Sequence, residues 1–212
     1  MNRALQGHPE AGVLWETWAN EILRDMGFRH TTHERCLYTG TIDGKKVLVC
    51  RQVDDFAIGS ESAEINAKFI AKVNESVTTN NQGQARVYNG VDIIQTRDYI
   101  KVSCETYIDR VLQTHGWETP GPKESDRHDS VPMKSDVVRP LFESEGPKEG
   151  TLEHAELQRK MGYGYRSLLG ELVYAYMACR IDIGYAVQVM SLFSQAPSEV
   201  HYRALKAICR YL

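Results

Sequence analysis

Two short apolar runs, Val47-Leu-Val-Cys50 and Phe56-Ala-Ile58, flank the adjacent acids Asp54 and Asp55. Each run is rich in Val, Ile or Phe and too short for a helix, so residues 47–60 read as strand, tight turn, strand. Any fold for this chain must therefore contain an antiparallel hairpin whose tip carries two carboxylates. Neighbouring like charges repel, and Arg51 is the one cation close by in sequence. A divalent cation would offset the repulsion. Carboxylate oxygens suit Mg²⁺, which takes one or two protein carboxylates together with substrate phosphates. Asp is also a common turn residue, because it tolerates unusual backbone angles and bonds its own backbone. The pair alone does not separate a metal site from a solvated turn.

The remaining composition narrows the classes. At 212 residues the chain accommodates one large domain or two small ones. With 42% hydrophobic and 25% charged residues it reads as a soluble globular protein. No run approaches the ~20 apolar residues of a membrane span, and the first dozen residues lack a signal-peptide core. Cys36, Cys50, Cys104, Cys179 and Cys209 are scattered and form no Cys-x-x-Cys pair. They read as reduced, mostly buried thiols of an intracellular protein. His30 and His33 have no partner at metal spacing and read as surface residues. Net charge is −3 and the pI about 6.2, so nucleic-acid contacts must come from local clusters. Arg203, Lys206 and Arg210 form one; residues 97–110, with Lys101, Tyr99 and Tyr107, form another. Both are equally read as solvated faces. No phosphate-cradling Gly-rich loop and no Gly-x-Ser-x-Gly occurs.

Periodicity predicts a helix with apolar residues at 14, 15, 18, 22, 23 and 26, stopped at Gly27. Trp15 and Trp18 are expected in its core-facing side. Strands at 36–38 and 46–50 join through Asp43-Gly44. A helix starting at Ser62, capped by Ser60 or Ser62, carries Ile65, Phe69, Ile70 and Val73 on one face and ends near 80–83. Two strands, 87–95 and 99–103, follow, then a helix over 105–115 closed by Gly116. Asp92 is expected to be structural or exposed. Five of the seven prolines fall in 118–150, which reads as an irregular, partly mobile connector. Helical patterns then cover 152–176, with a break near 162–164, 181–193, and 198–212 with Ser198 as N-cap. Tyr174 and Tyr176 lie on opposite sides of their helix, and Arg166 and Arg180 are expected to pair with Glu171 or Asp182. Both chain ends look cut, which favours a fragment of something larger.

An ordered series of short motifs then comes into view. Leu5-Gln6-Gly7 is followed eight residues later by Trp15; next come Gly27-Phe28, Cys36-Leu37-Tyr38 and Gln52-Val53-Asp54-Asp55. Gly90-Val-Asp-Ile-Ile94 and Glu105-Thr-Tyr107-Ile108 follow. The late stretch holds Tyr165-Arg-Ser-Leu-Leu-Gly170-Glu-Leu-Val-Tyr174, Arg180-Ile-Asp182-Ile183, Ala186-Val187, His201-Tyr-Arg-Ala-Leu-Lys206 and Arg210-Tyr-Leu212. This series resembles the reverse transcriptase region of copia-type retrotransposon polyproteins over nearly the whole chain.

The resemblance implies an α+β fold: a polymerase palm-like antiparallel sheet with packed helices, followed by a helical thumb and connection. Residues 1–103 would be partial fingers and palm, 104–117 the start of the thumb, 118–150 a connector, and 151–212 a helical region leading towards a ribonuclease H domain missing here. Asp54 and Asp55 would be the catalytic carboxylates that hold Mg²⁺. Gln6, Gly7, Gln52 and Gly90 would lie near nucleotide or nucleic acid, with the 87–103 hairpin gripping the primer end. Partners would be an RNA or DNA template-primer, dNTPs and the rest of the polyprotein, with no membrane, in the cytoplasm (within a virus-like particle) or the nucleus. Departures bear on activity. The family's third carboxylate lies upstream of the stretch matched by Leu5-Gln6-Gly7, and Gln6 and Gln52 stand where the family carries Tyr. Arg180-Ile181-Asp182 replaces Arg-Pro-Asp, which eases a helix start. The expectation is an RNA-directed DNA polymerase fragment, inactive alone; the alternative is a non-catalytic remnant or nucleic-acid-binding module.

Overall fold

Glycine, asparagine and aspartate set most turning points in the computed structural model, which describes residues 7–117 and 130–212. The fold is α+β, as expected, with two antiparallel sheets of four and three strands. The chain divides into two compact units, Met1–Ala85 and Arg86–Leu212. No helix among the described residues is long and apolar enough to cross a membrane.

In the first unit, α1 (Ala11–Asp25) ends in a Schellman motif. Gly27 takes φ +86°, the Phe28 N–H donates to the Leu23 carbonyl and the Gly27 N–H to the Arg24 carbonyl, both at 2.9 Å. A residue without Cβ adopts that left-handed conformation without a clash. The sheet runs in the order β1 (Arg29–His30), β2 (Leu37–Ile42), β3 (Lys45–Gln52), β4 (Asp55–Ser60). Asp43 (φ 52°) and Gly44 (φ 73°) form the β2–β3 turn, both with the positive φ of a type I′ hairpin. In α2 (Ala63–Asn74) the Ser62 side chain accepts the Ile65 N–H. This helix stops short of the expected 80–83, because the Asn74 side-chain oxygen turns to the N–H and hydroxyl of Thr79.

Strand alternation places Val47, Val49 and Arg51 on the buried face of β3. Leu23 of α1 and Ile65, Phe69 and Val73 of α2 share that core. The Phe28 ring lies over Gly40, where a Cβ would come within 2.7 Å of it. The expected core role of Trp15 and Trp18 is corrected: Trp15 is half-buried and Trp18 is 39% exposed. Only Ala19 and Leu23 of α1 are buried, so the N-terminal half of its apolar stripe lies outside the core.

The second unit opens with a three-stranded meander, β5 (Val87–Tyr88), β6 (Val91–Gln95) and β7 (Ile100–Ser103). The single strand expected over 87–95 is folded in two at Asn89 (φ 50°) and Gly90 (φ 75°). Asn-Gly is a strong two-residue hairpin signal, and here it overrides the apolar run around it. Asp92 is structural: its carboxylate accepts the Thr106 N–H at 2.9 Å in the first turn of α3 (Glu105–Thr114). Gly116 ends α3 in a second Schellman motif, with the Trp117 N–H on the Leu112 carbonyl at 2.8 Å.

Part of the expected connector is a helix, α4 (Ser135–Glu143), despite Pro140 inside it. Its Leu141 is fully buried in the core of this unit, so tertiary burial outweighs the local proline signal. Residues 118–129 of that connector lie outside the described residues. α5 (Leu152–Met161) and α6 (Tyr165–Ala178) break at Gly162, φ +81°, where a break is expected. A 3-10 turn (Ile181–Ile183), α7 (Gly184–Ser191) and α8 (Glu199–Tyr211) complete the unit. Leu168, Leu172, Ile183, Met190, Tyr202 and Leu205 form its centre.

His201 ties α8 to α4. It is 1% exposed. Its Nδ1 accepts the Ser198 N–H at 2.8 Å, so the ring proton sits on Nε2 and is donated to the Leu141 carbonyl at 2.8 Å. Phe193 stacks on the ring at 4.1 Å. Burial holds the imidazole below its ordinary pKa. The unfolded chain therefore binds this proton more readily than the folded one. The stabilisation is complete above about pH 6.5 and is lost as pH falls below it. Denaturant unfolding between pH 7.5 and 5.5 should show stability falling, with a share from this group of at most about 1.4 kcal/mol per pH unit. His201→Gln should remove that share.

Candidate functional site

β3 and β4 pair as far as Gln52 and Asp55, which leaves Val53 and Asp54 as the two loop residues. The tip thus holds Asp54, while Asp55 is the first residue of β4, a small correction to a tip carrying both acids. Val53 has φ 54°, in the left-handed region, and Asp54 does not. That sign pattern is a type II′ turn, whose first central residue is normally Gly. A β-branched residue there is an outlier. Val53 is 63% exposed and gains little burial in exchange. Such strain costs about 1–3 kcal/mol and persists only where neighbours over-determine the conformation.

The neighbours are two donors on one carbonyl. The Val53 carbonyl accepts the Trp15 Nε1–H at 2.8 Å and an Arg51 Nη1–H at 3.1 Å. Trp15 comes from α1, and its ring packs against Trp18 at 5.4 Å between centroids. Arg51 is 4% exposed; its Nη2 lies 3.7 Å from the Glu16 carboxylate of α1, and among the described residues its Nε–H has no partner. The one cation near the acids in sequence is therefore engaged beneath the turn by α1.

Gln52 and Asp55 face each other across the strands and share the sheet face of Leu48 and Cys50, opposite to the core. Gln52, Asp54 and Asp55 are all exposed. Among the described residues, no ion pair or hydrogen bond engages either carboxylate. Nor is any group of three or more His, Cys, Asp or Glu placed to hold a metal ion among them. Two unpartnered carboxylates at consecutive positions are a donor set of the kind Mg²⁺ takes from a protein, with water and phosphate completing the shell.

The other expected site residues lie elsewhere. Gly7 is exposed ahead of α1 with φ +88°, and Gln6 lies outside the described residues. Gly90 belongs to the second unit. There it borders an open groove of about 570 Å³ lined by Asn89, Tyr107, Arg110, Ser167, Glu171 and Tyr174 among others. The Tyr174 hydroxyl donates to the Asn89 carbonyl at 2.6 Å, and a Cβ on Gly90 would collide with it. Glycine is thus required both by φ and by this approach. The Tyr107 and Tyr174 rings lie 4.5 Å apart, and the Arg110 guanidinium sits 5.3 Å from the Tyr107 centroid. Glu171 is held by His115 at 2.8 Å. These groove residues were not singled out as a set from sequence. Their signal is the helical spacing of Tyr107 with Arg110 and of Ser167, Glu171 and Tyr174.

Other polar groups are accounted for locally. Tyr176 packs over Gly184. Arg180 grips Asp182 at 2.8 Å, and Tyr211 donates to the same carboxylate at 2.8 Å. The Arg180 hydrogen bond, more than any other contact, brings Asp182 down to about 2. Arg166 pairs with Glu149 at 2.6 Å, not with Glu171. In the two basic clusters, Lys101 pairs with Glu105, Arg203 with Glu199, and Lys206 lies 4.6 Å over the Trp117 ring. Only two of the five cysteines, Cys104 and Cys209, are buried, fewer than expected.

Two substitutions test the turn. Val53→Gly removes the strain of a left-handed Val, offset in part by backbone entropy, and should raise the stability of the first unit by about 1 kcal/mol in denaturant unfolding. Trp15→Phe deletes one donor to the Val53 carbonyl and should lower it by about 1 kcal/mol.

The comparisons with known proteins bear on this arrangement. A family model described as reverse transcriptase (RNA-dependent DNA polymerase) matches residues 1–123. The chain is 26% identical over 215 residues to the retrovirus-related Pol polyprotein from transposon TNT 1-94 of Nicotiana tabacum, a match covering 100% of this chain and 15% of that polyprotein. It is 24% identical to the retrovirus-related Pol polyprotein from transposon RE1 of Arabidopsis thaliana, over 100% of this chain and 13% of that one. A putative transposon Ty5-1 protein of Saccharomyces cerevisiae is 23% identical over 98% of this chain and 62% of its own length. The chain thus spans less than two thirds of each of these relatives. No solved structure matches it. The family model covers more than half of the chain, and the chain belongs to the reverse transcriptase (RNA-dependent DNA polymerase) family.

Proposed function

We propose that this chain supplies part of the nucleotidyl-transfer centre of a copia-type retrotransposon reverse transcriptase, with Asp54 and Asp55 as its Mg²⁺-binding carboxylates. The observation that carries the reading is the Val53 carbonyl held by Trp15 and Arg51. The turn is strained and fixed from two sides, while both acids are left exposed and, among the described residues, unpartnered. Backbone strain of this kind gathers where a group must be aimed.

In this reading Asp54 and Asp55 hold the cation, and Gln52 offers its amide on the same face as Asp55, beside the template-primer end. When bound, Mg²⁺ supplies activation of the primer 3′-hydroxyl and charge stabilisation at the leaving pyrophosphate. The turn contributes positioning, since a clamped backbone needs no reorganisation when charge develops. Gly7 and Gln6 would approach the incoming nucleotide. Gly90 and the 87–103 meander would meet the primer strand, with α3 opening the thumb and 151–212 leading on towards the rest of a polyprotein. A template-primer of RNA or DNA and dNTPs are the corresponding ligands.

Among the described residues no third acid joins this pair, and two carboxylates alone hold Mg²⁺ loosely. The chain by itself should therefore bind Mg²⁺ in the millimolar range and extend no primer. Titration with Mn²⁺ should broaden the NMR signals of Asp54 and Asp55 first, and Asp54→Asn with Asp55→Asn should abolish that effect. Broadening centred elsewhere would remove the metal assignment. Vigorous primer extension on an RNA template would overturn the inactivity.

The groove beside Gly90 favours a second reading, a module that binds nucleic acid without chemistry. Its tyrosines and Arg110 are of the kind that stack bases and meet phosphates. Single-strand binding that weakens steeply with salt, and that Arg110→Ala reduces, would support it even in the absence of metal binding.

A further inference from the structure

Gly170 has no reason within the chain to be glycine. It lies in the interior of α6 without a positive φ, and a Cβ there would meet nothing within 4 Å. Glycine in a helix interior is unfavourable relative to alanine, and it serves where a ligand must approach the backbone closely. Gly170 is exposed and lines the groove beside Gly90, so the missing side chain leaves that wall flat.

The groups around it are held in place. Glu171 follows it on α6; its Oε2 accepts the His115 Nε2–H at 2.8 Å, and among the described residues no group engages Oε1. The carboxylate is thus oriented from one side and keeps an acceptor without a donor. The Tyr107 hydroxyl donates to the Glu171 carbonyl at 3.2 Å and the Tyr174 hydroxyl to the Asn89 carbonyl at 2.6 Å, which pins both rings. Arg110, on the α3 wall, has no acidic partner among the described residues. A site for phosphate alone gains nothing from Glu171, which repels it. A ligand that carries both a phosphate and a row of N–H donors uses both groups.

We infer that this groove is a subsite for a guanine base of single-stranded nucleic acid, with the Watson–Crick edge of the base on the Glu171 carboxylate. The inference rests on the reading of the groove as a nucleic-acid-binding module and names the base it prefers. Of the four standard bases only guanine sets two adjacent N–H donors, N1–H and N2–H, on that edge. A carboxylate accepts both, one on each oxygen, and Oε2 retains acceptor capacity beside its bond to His115. Adenine and cytosine place an acceptor next to their donor, and thymine flanks its one donor with two acceptors; each turns a lone pair against the carboxylate. The flat wall at Gly170 admits the base, the two tyrosine rings supply stacking surface, and Arg110 meets the phosphate.

The test uses the full chain at low salt without divalent metal. Fluorescein-labelled DNA pentamers TTGTT, TTATT, TTCTT and TTTTT are titrated and read by anisotropy. TTGTT should bind about tenfold more tightly than the others. Glu171→Gln replaces an acceptor by a donor and should bring the four to near parity. Gly170→Ala should weaken TTGTT binding while melting holds or rises by about 2 °C, since alanine is the better helix former. If no pentamer binds, the nucleic-acid reading of the groove fails and this inference with it. If the four bind alike, if the guanine preference survives Glu171→Gln, or if Gly170→Ala binds as before, that reading stands and the guanine subsite is overturned. The base series and Gly170→Ala decide the matter even if Glu171→Gln loses its His115 contact and folds poorly.

Discussion

The Val53 carbonyl is the point on which the first unit's surface is organised. A two-residue turn between β3 and β4 must reverse the chain with a left-handed residue, and the residue supplied is a valine. Left to itself, valine would relax towards extended backbone. Two donors from different places, the Trp15 indole and the Arg51 guanidinium, converge on its carbonyl and hold it. Each makes sense only with the other elements present. Trp15 needs α1 held beside the turn, within reach of the Val53 carbonyl, and buried Arg51 has the Glu16 carboxylate on the same helix. The position of α1 is in turn secured by Leu23 in the sheet core. A local backbone angle at the acids thus depends on the packing of a helix some forty residues earlier.

This explains which parts of the structure could be read from the amino-acid order. Turns announced by Asp-Gly, and helix ends announced by Gly27, Gly116 and Gly162, are local, and they fall where local chemistry puts them. The Asn89-Gly90 turn was equally local, but the apolar residues around it masked it as one long strand. α4 was hidden by its proline, because what stabilises it is Leu141 in a core assembled from residues far along the chain. Trp15 was assigned to packing on the strength of helical spacing alone. Its actual task, a hydrogen bond across 38 residues, leaves no periodic trace. The same holds for the groove beside Gly90. Its tyrosines sit at ordinary helical positions, and only the packing of α3 on α6 brings them together.

The candidate site shows the same division. That Asp54 and Asp55 lie on a hairpin was legible, and so was the family. The exact share of turn and strand between them was not, nor was the engagement of Arg51 beneath the turn. That engagement matters physically. A guanidinium pointed at the carboxylates would have neutralised them and weakened any attraction for a cation. Held by Glu16 and the Val53 carbonyl instead, it supports the turn and leaves the acids exposed to whatever charge approaches from solvent.

The central claim is that this clamped turn presents its two carboxylates to a divalent cation. Anomalous diffraction from crystals of the chain soaked in Mn²⁺ addresses it directly. The account predicts a metal peak bound by carboxylate oxygens of Asp54 and Asp55, on the Gln52 face of the sheet, with Val53 still at positive φ. Ordered metal at other carboxylates with none at this pair, or a relaxed Val53 with the indole turned away, would contradict it.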